Sequence, residues 1–398
     1  MLTHEPSLQQ LEEWIDQRFA DRDVVADAFF PQQARPLALA CRQTFERFRR
    51  GGRLLAFGRG AYATDAQHVS VEFVHPVIVG KRALPAMDLS LAFAPWIDAV
   101  LDPNDIVMGF GPPEGDPEVV RVLERAHDRG AFTFALPGEK ADFAVSAPSS
   151  DPHVHQEMIE ILCHTLYETV HVFFEHDEMG HDVGASSFLY PFLGERSGSQ
   201  DSLLDEVGAS ILMKAHDARS LRGEVVASQA SAIAKAVRAI AGELQSGGKL
   251  ILFGNGGSAT DATDWALDCV IPEGDVRPIP ALSLALEPAI LTAIANDVGT
   301  DVIFLRQLVA QARPHDVAIA LSTSGGSKNV VAALEEARKR EMLTIALLGY
   351  DGGEIVRRGL ADIPIVVHSD YIPRIQEVQG TIYHVMREAL DLVGRNAA

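Results

Sequence analysis

Short apolar runs recur along the chain and alternate with longer stretches in which apolar residues return with a helical period. Two long helical stretches are predicted over about 8–50 and 203–246. Alternation of buried strands with helices is typical of a parallel sheet covered by helices on both faces. The predicted strands are Leu54–Phe57, Asp105–Gly109, Thr133–Leu136, Leu250–Phe253, Val317–Leu321, Thr344–Leu348 and Ile363–Val367.

The two halves of the chain repeat each other. The stretch 51–66 aligns with 247–262 at an offset of 196, and ten of these sixteen positions are identical. Each copy runs from an apolar strand into a glycine-rich turn, and the pattern Arg-x-x-Pro-Ala follows at Arg82 and again at Arg277. Matches that keep their order indicate a tandem duplication.

The repeat predicts two α/β domains. We expect the first to cover 1–175 and the second to cover 203–398. The segment 176–202 between them is polar and rich in Gly and Ser, so we interpret it as a linker. A chain of 398 residues is long enough for two such domains.

Composition narrows the possible partners. The net charge of −21 argues against nucleic acid and against an anionic membrane surface, because both attract basic patches. Three cysteines are too few for a disulfide framework. No apolar run is long enough to span a bilayer and no signal peptide is apparent, so we expect a cytoplasmic protein.

The run 321–329 (LSTSGGSKN) carries the strongest chemical signal. Three serines and a threonine follow a predicted strand and precede a predicted helix over 330–338. Hydroxyl groups and free N–H groups at a helix N-terminus bind phosphate well, and the helix dipole adds positive potential. The alternative is a plain Ser/Gly turn with a good N-cap.

Four motifs stand in order in the C-terminal half: GNGGSA at 254–259, AND at 295–297, STSG at 322–325 and RIQE at 374–377. Together they resemble the sugar-isomerase (SIS) fold, and specifically the phosphoheptose isomerase family. The resemblance implies a flavodoxin-like αβα sandwich with five parallel strands in each domain. It also implies oligomers with active sites between SIS units, so we expect a homodimer that forms a pseudo-tetramer of SIS domains.

The family interconverts sedoheptulose 7-phosphate and a heptose 7-phosphate through an enediol, and several members carry zinc. By resemblance, Gln376 matches a metal ligand of the family and His384 matches its metal-binding catalytic histidine. The resemblance implies that the phosphosugar-binding residues are Asn255, Gly256, Gly257, Ser258, Asn296, Asp297, Ser322, Thr323, Ser324, Ser327 and Gln376.

The C-terminal half departs from the family at one pair of positions. The family has a His and a Glu four residues apart on the helix after the glycine-rich turn, and here these positions are Asp264 and Asp268. By position Asp268 would be the catalytic carboxylate. Its shorter side chain moves the oxygen back, and a misplacement of this size can cost about 10²-fold in rate.

The N-terminal half shows the opposite pattern. His68 and Glu72 have the family's residue types and spacing, and Gln156 and His164 are eight apart on a later helix. Each pair lies on one helix face, so the four side chains predict a divalent metal site, and the resemblance implies that the metal is zinc. The segment 111–116 (GPPEGD) replaces the serine run, and its carboxylates and prolines disfavour phosphate.

Three further histidines, His75, His153 and His155, lie near the predicted metal ligands in the sequence. Additional metal ligands and surface residues are both consistent with the sequence, and the surface interpretation is favoured.

Three hypotheses follow. In the first, the halves share one phosphosugar isomerase site, in which Glu72 or Asp268 and His164 or His384 move protons. In the second, all chemistry lies in the C-terminal half, where Asp264, Asp268, Gln376 and His384 bind the metal, and the N-terminal half is a structural partner. In the third, the protein is a non-catalytic sensor or accessory protein that binds a sugar phosphate.

Overall fold

The computed structural model describes residues 6–77, 81–179, 200–272, 274 and 276–394. The described chain forms two compact units. We call Asp23–Arg219 the N-terminal unit, and Met1–Arg22 together with Ser220–Ala398 the C-terminal unit. The borders of the units therefore lie within two long helices, Leu8–Arg49 (α1) and Gln200–Gln245 (α6).

The N-terminal unit is built around a parallel sheet of five strands in the order β2-β1-β3-β4-β5. This is the order of flavodoxin-like sheets. After α1 the elements are β1 (Leu54–Phe57), α2 (Ala63–Val74), β2 (Ala86–Asp88), α3 (Phe93–Val100), β3 (Ile106–Phe110), α4 (Pro117–Asp128), β4 (Phe132–Leu136), β5 (Phe143–Ala144) and α5 (Pro152–Met179).

The C-terminal unit has the same topology, with five parallel strands in the order β7-β6-β8-β9-β10. After α6 the elements are β6 (Leu250–Phe253), α7 (Gly257–Val270), β7 (Ala281–Ser283), α8 (Pro288–Asp297), α9 (Ile303–Gln311), β8 (Val317–Ser322), α10 (Lys328–Lys339), β9 (Leu343–Gly349), α11 (Gly353–Arg357), β10 (Ile363–Val367) and α12 (Ile372–Gly394).

Register confirms that the units are copies of one fold. Leu54 pairs with Ile106 in the N-terminal sheet, and Leu250, which stands 196 residues further on, pairs with Val317. The predicted fold of two helix-covered parallel sheets is therefore confirmed. The predicted domain borders remain a prediction, since 180–199 lie outside the described residues.

The strands are apolar throughout because both faces of each sheet are covered. In β6, Leu250 and Leu252 pack into one core with α12, whereas Ile251 and Phe253 pack into another with α9 and α10. This layering leaves the carboxyl ends of the strands as the edge at which loops can form a site. Within the described part of the chain, no helix combines the length and the apolar character needed to cross a membrane.

Candidate functional site

The serine run forms the turn between β8 and α10, as the sequence predicts. Ser322 ends the strand, and Ser327 is the N-cap residue of α10. The backbone N–H of Gly325 donates to Ser322 Oγ at 3.2 Å, and that of Gly326 donates to Ser324 Oγ at 3.3 Å. Ser322 is buried and Ser324 is exposed, while Thr323 and Ser327 are half-buried. The turn thus presents hydroxyl groups at the N-terminus of a helix.

Glycine is required inside this turn. Gly325 has a φ of +59°, and a Cβ atom there would lie 2.2 Å from the carbonyl oxygen of Gly352. Any side chain would therefore push the serine turn away from the loop that precedes α11. This close approach fixes the position of the turn.

Asn255, in the glycine-rich turn after β6, is bound to the serine turn. Its Nδ2 donates to Asn329 Oδ1 at 2.9 Å, and Asn329 Nδ2 donates back to Asn255 Oδ1 at 2.9 Å. Asn329 Oδ1 also accepts from the backbone N–H of Val330. Two turns that the resemblance assigns to one substrate are thus tied together. Asn329 is absent from the predicted site, and its only sequence signal is a polar residue beside the serines.

Three side chains in the C-terminal unit meet in a buried cluster, which we call the C-terminal trio: Asp264, Asp268 and His384. The Nε2 atom of His384 lies 3.4 Å from Asp264 Oδ2 and 3.5 Å from Asp268 Oδ2. The hydroxyl of Tyr383 donates to Asp264 Oδ2 at 2.8 Å. The two aspartates stand one turn apart on α7, so they present their carboxylates to the same face of α12.

The other predicted residues of this half lie in two different environments. Gln376 is buried on α12, two turns before His384. Gly256 caps α7 with a φ of +58°, and Ser258 is buried in the first turn of that helix. Asn296 and Asp297 are exposed at the end of α8, where Asn296 donates to Asp297 Oδ1 at 2.8 Å.

The N-terminal unit contains an equivalent cluster, the N-terminal trio: His68, Glu72 and His164. The Nε2 atoms of the two histidines are 3.2 Å apart, and Glu72 Oε1 lies 4.0 Å from His68 Nε2. The trio lines a cavity of about 10 Å³, which is close to the smallest volume that holds one water or ion. Burial and the nearby acids raise the pKa of Cys163, which also lines the cavity, well above its ordinary value.

Gln156, the fourth predicted metal ligand, is buried on α5 beside the trio's helix α2. Its Nε2 atom donates to Asp65 Oδ1 at 3.1 Å and approaches Thr64 Oγ1 at 3.4 Å. These bonds engage the amide nitrogen, and a metal would be bound through the amide oxygen.

The surface interpretation of His155 is wrong. The residue is only 1% exposed, and its Nε2 atom lies 3.1 Å from the carbonyl oxygen of Gly111. Burial lowers the pKa of His155 to about 4, against a smaller rise from that hydrogen bond. Its ring supports the loop that replaces the serine turn, a contact between residues 44 positions apart. His75 is exposed and His153 is half-buried.

In the N-terminal unit, a carboxylate of the chain lies at the helix N-terminus that corresponds to the predicted phosphate site of the C-terminal unit. Asp116 is the N-cap residue of α4, and its Oδ1 accepts from the backbone N–H groups of Glu118 at 2.7 Å and Val119 at 3.2 Å. Arg59, which aligns with Asn255, lies 3.4 Å from Asp116 Oδ2 and 3.1 Å from Glu118 Oε2. The loop 111–116 is therefore closed by its own ion pair.

This chain matches a known domain family and also individual known proteins. The SIS domain family matches residues 215–349. The phosphoheptose isomerase of Chlorobium phaeobacteroides is 43% identical over 207 residues, which are 51% of this chain and 86% of that protein.

Two solved structures share the fold over nearly the whole chain. The first is a putative tagatose-6-phosphate ketose/aldose isomerase from Clostridium novyi, with a TM-score of 0.54 and 11% identity over 97% of this chain and 93% of that one. The second is the C-terminal domain of glucosamine-fructose-6-phosphate aminotransferase from Francisella tularensis, with a TM-score of 0.54 and 10% identity over 96% of each chain.

Proposed function

Since this chain belongs to the phosphoheptose isomerase family of SIS proteins, we propose that it interconverts an aldose phosphate and a ketose phosphate in its C-terminal unit, with sedoheptulose 7-phosphate as the ketose. One observation carries the proposal: this unit holds both the hydroxyl-lined serine turn and the buried C-terminal trio. The N-terminal unit has a trio but a closed loop.

The phosphate group is bound by the serine turn. Thr323, Ser324 and Ser327 offer hydroxyl groups from half-buried or exposed positions, and the first turn of α10 adds backbone N–H groups. A helix N-terminus carries about half a positive charge, which favours a dianion. Such a local site is needed in a chain of net charge −21, whose overall field repels phosphate.

The sugar is bound between the two turns that Asn255 and Asn329 tie together. Asn255 is exposed on the glycine-rich turn, where only backbone and small side chains separate the sugar from α7. The helix α7 then leads from this turn to Asp264 and Asp268. One helix therefore connects the sugar-contacting turn to the reactive groups.

Aldose–ketose interconversion removes a proton from the carbon next to the carbonyl and returns it to the neighbouring carbon. Asp268 takes and returns this proton. His384, whose Nε2 atom lies 3.5 Å from Asp268 Oδ2, moves the proton between the two sugar oxygens. Burial of both groups excludes water, so protons released in the site remain available for return.

The N-terminal trio fits a divalent metal. Nitrogen ligands of tetrahedral zinc, with bonds of about 2.0–2.1 Å, lie about 3.3 Å apart, and the two histidine nitrogens are 3.2 Å apart. His68, Glu72, His164 and Gln156 would hold the ion. A bound divalent metal polarises a carbonyl and stabilises negative charge on oxygen.

The test is turnover by the purified, metal-analysed protein on C5, C6 and C7 sugar phosphates. We expect interconversion of heptose 7-phosphates, a loss of at least about 10²-fold in kcat for Asp268→Ala, and a much smaller effect for His68→Ala. A larger loss for His68→Ala would assign the chemistry to the N-terminal trio. No turnover on any of the sugars with metal bound would refute the proposal.

A sensor or accessory role is the second candidate, and one observation favours it. Two aspartates with short side chains stand at the positions that His68 and Glu72 hold in the other unit, and the hydroxyl of Tyr383 already engages Asp264. Saturable binding of a sugar phosphate without turnover would support this role.

A further inference from the structure

We propose that the C-terminal unit contains a second binding pocket, which takes a small aromatic carboxylate and lies at the sheet edge opposite the serine turn. We call it the rear pocket. It goes beyond the proposed function, because the described residues that line it include neither the serine turn nor the C-terminal trio. Its lining residues include Ala241, Leu244, Arg277, Leu390, Asp391 and Gly394.

The rear pocket has the size of a small-molecule site. Its volume is about 760 Å³, within the range of about 300–1,000 Å³ that such sites span. Its walls come from the ends of α6 and α12 and from the segment before β7. Gly248 and Pro280, which line it, precede β6 and β7, so the pocket lies at the amino ends of these strands. The serine turn follows the carboxyl end of β8, so a ligand in the rear pocket leaves the phosphate site open.

Phenylalanine rings occupy the corresponding place in the N-terminal unit. Phe174 and Phe45 meet edge to face with ring centres 4.8 Å apart, and the guanidinium of Arg82 lies 4.9 Å from the ring centre of Phe174. Phe48 and Phe73 lie 5.5 Å apart. These distances are those of aromatic pairs and of a cation over a ring. The N-terminal unit therefore packs this place with its own side chains.

Matching backbone hydrogen bonds show that the two places correspond. In the N-terminal unit the N–H of Leu84 donates to the backbone oxygen of Phe73 at 2.8 Å. In the C-terminal unit the N–H of Ile279 donates to the backbone oxygen of Cys269 at 2.7 Å. Both residues of this pair follow the offset of the repeat to within one position. The segment before the second strand is thus joined to the preceding helix in the same way in both units.

Five phenylalanines of the N-terminal unit have smaller counterparts in the C-terminal unit. The helices α1 and α6 follow the offset of 196, and α5 and α12 follow the offset of 220 that relates His164 to His384. At Gly394, the counterpart of Phe174, an added Cβ atom would meet open space. The loss of these rings leaves the rear pocket open. The counterparts of Phe45, Phe48, Phe73, Phe173 and Phe174 are Ala241, Leu244, Cys269, Val393 and Gly394, in that order.

The charges of the rear pocket favour an aromatic ligand with a negative group. Arg277 stands at the position that Arg82 holds in the repeated Arg-x-x-Pro-Ala pattern, and it is exposed. Asp391 also lines the pocket, but its Oδ1 atom lies 2.6 Å from Arg387 Nη1, so its charge is compensated. A ring replaces the missing phenylalanines, and a guanidinium attracts both the face of a ring and a carboxylate. The ligand class is therefore an aromatic carboxylate.

The experiment titrates 4-fluorophenylacetate into the full chain without sugar phosphate and follows the ¹⁹F resonance by NMR. We expect saturable binding in the millimolar range, as is usual for a ligand of about ten non-hydrogen atoms. Phenylacetate should displace this probe more strongly than cyclohexylacetate, which has no aromatic face, and than benzylamine, which has no carboxylate. Because no turnover is measured, failure of the isomerase proposal leaves the result unaffected.

Two variants test the position of the site. Gly394→Phe restores the ring that Phe174 supplies in the other unit, and it should weaken probe binding by at least about tenfold because the space is filled. Gly242→Phe is the matched control, since its Cβ atom also meets open space but the residue is exposed and outside the lining. It should keep wild-type affinity. Arg277→Gln should weaken binding about two- to fivefold through loss of the cation.

The outcomes that would overturn the proposal are distinct. They are equal affinity in Gly394→Phe and Gly242→Phe, no saturable binding to the wild-type chain, or a preference for benzylamine. A change of oligomeric state in Gly394→Phe, measured by analytical ultracentrifugation, would also overturn it, because a second copy of the chain would then cover the pocket. If Gly394→Phe does not fold, unchanged binding in Arg277→Gln decides against the proposal.

Discussion

The two units share a fold and a register but differ at the same turn. In the C-terminal unit, the turn before α10 ends on Ser327, and an asparagine pair joins it to the glycine-rich turn. In the N-terminal unit, the matching turn ends on Asp116, and Arg59 makes the join through an ion pair. One scaffold therefore supports a turn lined by hydroxyl groups and a turn whose helix N-terminus is capped by a carboxylate of the chain.

The largest effect is expected from placing an N-cap carboxylate, as found at Asp116, at the matching position of the C-terminal unit. In Ser327→Asp the new carboxylate should cap α10 as Asp116 caps α4, and it should repel a phosphate. We predict that affinity for sedoheptulose 7-phosphate, measured by calorimetry, falls by at least about 100-fold, since each hydrogen bond to a charged group contributes about 1.5–3 kcal/mol. Ser327→Asn, a neutral cap, is the control with a smaller loss. Equal losses would show that charge is not the cause.

Removal of the N-cap carboxylate from the N-terminal unit should affect stability rather than binding. Asp116→Ala removes an N-cap that accepts two backbone hydrogen bonds, so the free energy of unfolding in urea should fall by about 1 kcal/mol. Glu114→Ala removes an exposed carboxylate of the same loop and should be nearly neutral. If both variants unfolded alike, net charge and not capping would explain the result.

The asparagine pair should show a modest coupling. Asn255→Ala, Asn329→Ala and the double variant form a mutant cycle, and the interaction free energy in unfolding should be about 0.5–1.5 kcal/mol because the pair is partly exposed. The same cycle on phosphosugar affinity tests whether the join also positions the turns. Strict additivity in both measurements would mean that the turns act separately.

The smallest effect is expected in the pH dependence of stability. Burial lowers the pKa of His171, which lies between the backbone oxygens of Tyr167 and Arg82, near Lys81 and Glu175. The folded state then binds fewer protons than the unfolded state. The contribution of neutral His171 to stability is therefore fully present above about pH 6.5 and declines as the pH falls below it. His171→Gln should flatten this decline in urea titrations between pH 7.5 and 5.5. His75→Gln, at an exposed position, should leave the slope unchanged.

Much of this comparison could be predicted from the sequence. Apolar runs predict β6 and β10 at the bounds the structure shows, because a strand buried on both faces must be apolar throughout. The four-residue and eight-residue spacings predict that ligand-type side chains share helix faces. The fold inferred from the apolar runs and the repeat is confirmed, and so is the family membership that the four motifs of the C-terminal half imply by resemblance.

The remaining features depend on contacts between distant parts of the chain. Asn329 meets Asn255 across 74 residues, and Tyr383 meets Asp264 across 119. Neither pairing follows from a local period, because both are fixed by how loops and helices pack. His155 is buried for the same reason: its partner is a carbonyl oxygen that carries no sequence signal.

Asp116 also changes how the two units respond to their surroundings. A carboxylate attached to the chain is always present at its helix terminus, so the N-terminal unit behaves as if permanently saturated with its anion. The stability of the C-terminal unit, in contrast, should rise with the concentration of sugar phosphate, by about 2.7 kcal/mol at a hundredfold excess over Kd. In the cell, the stability of the C-terminal unit would then depend on the concentration of substrate, whereas the stability of the N-terminal unit would not.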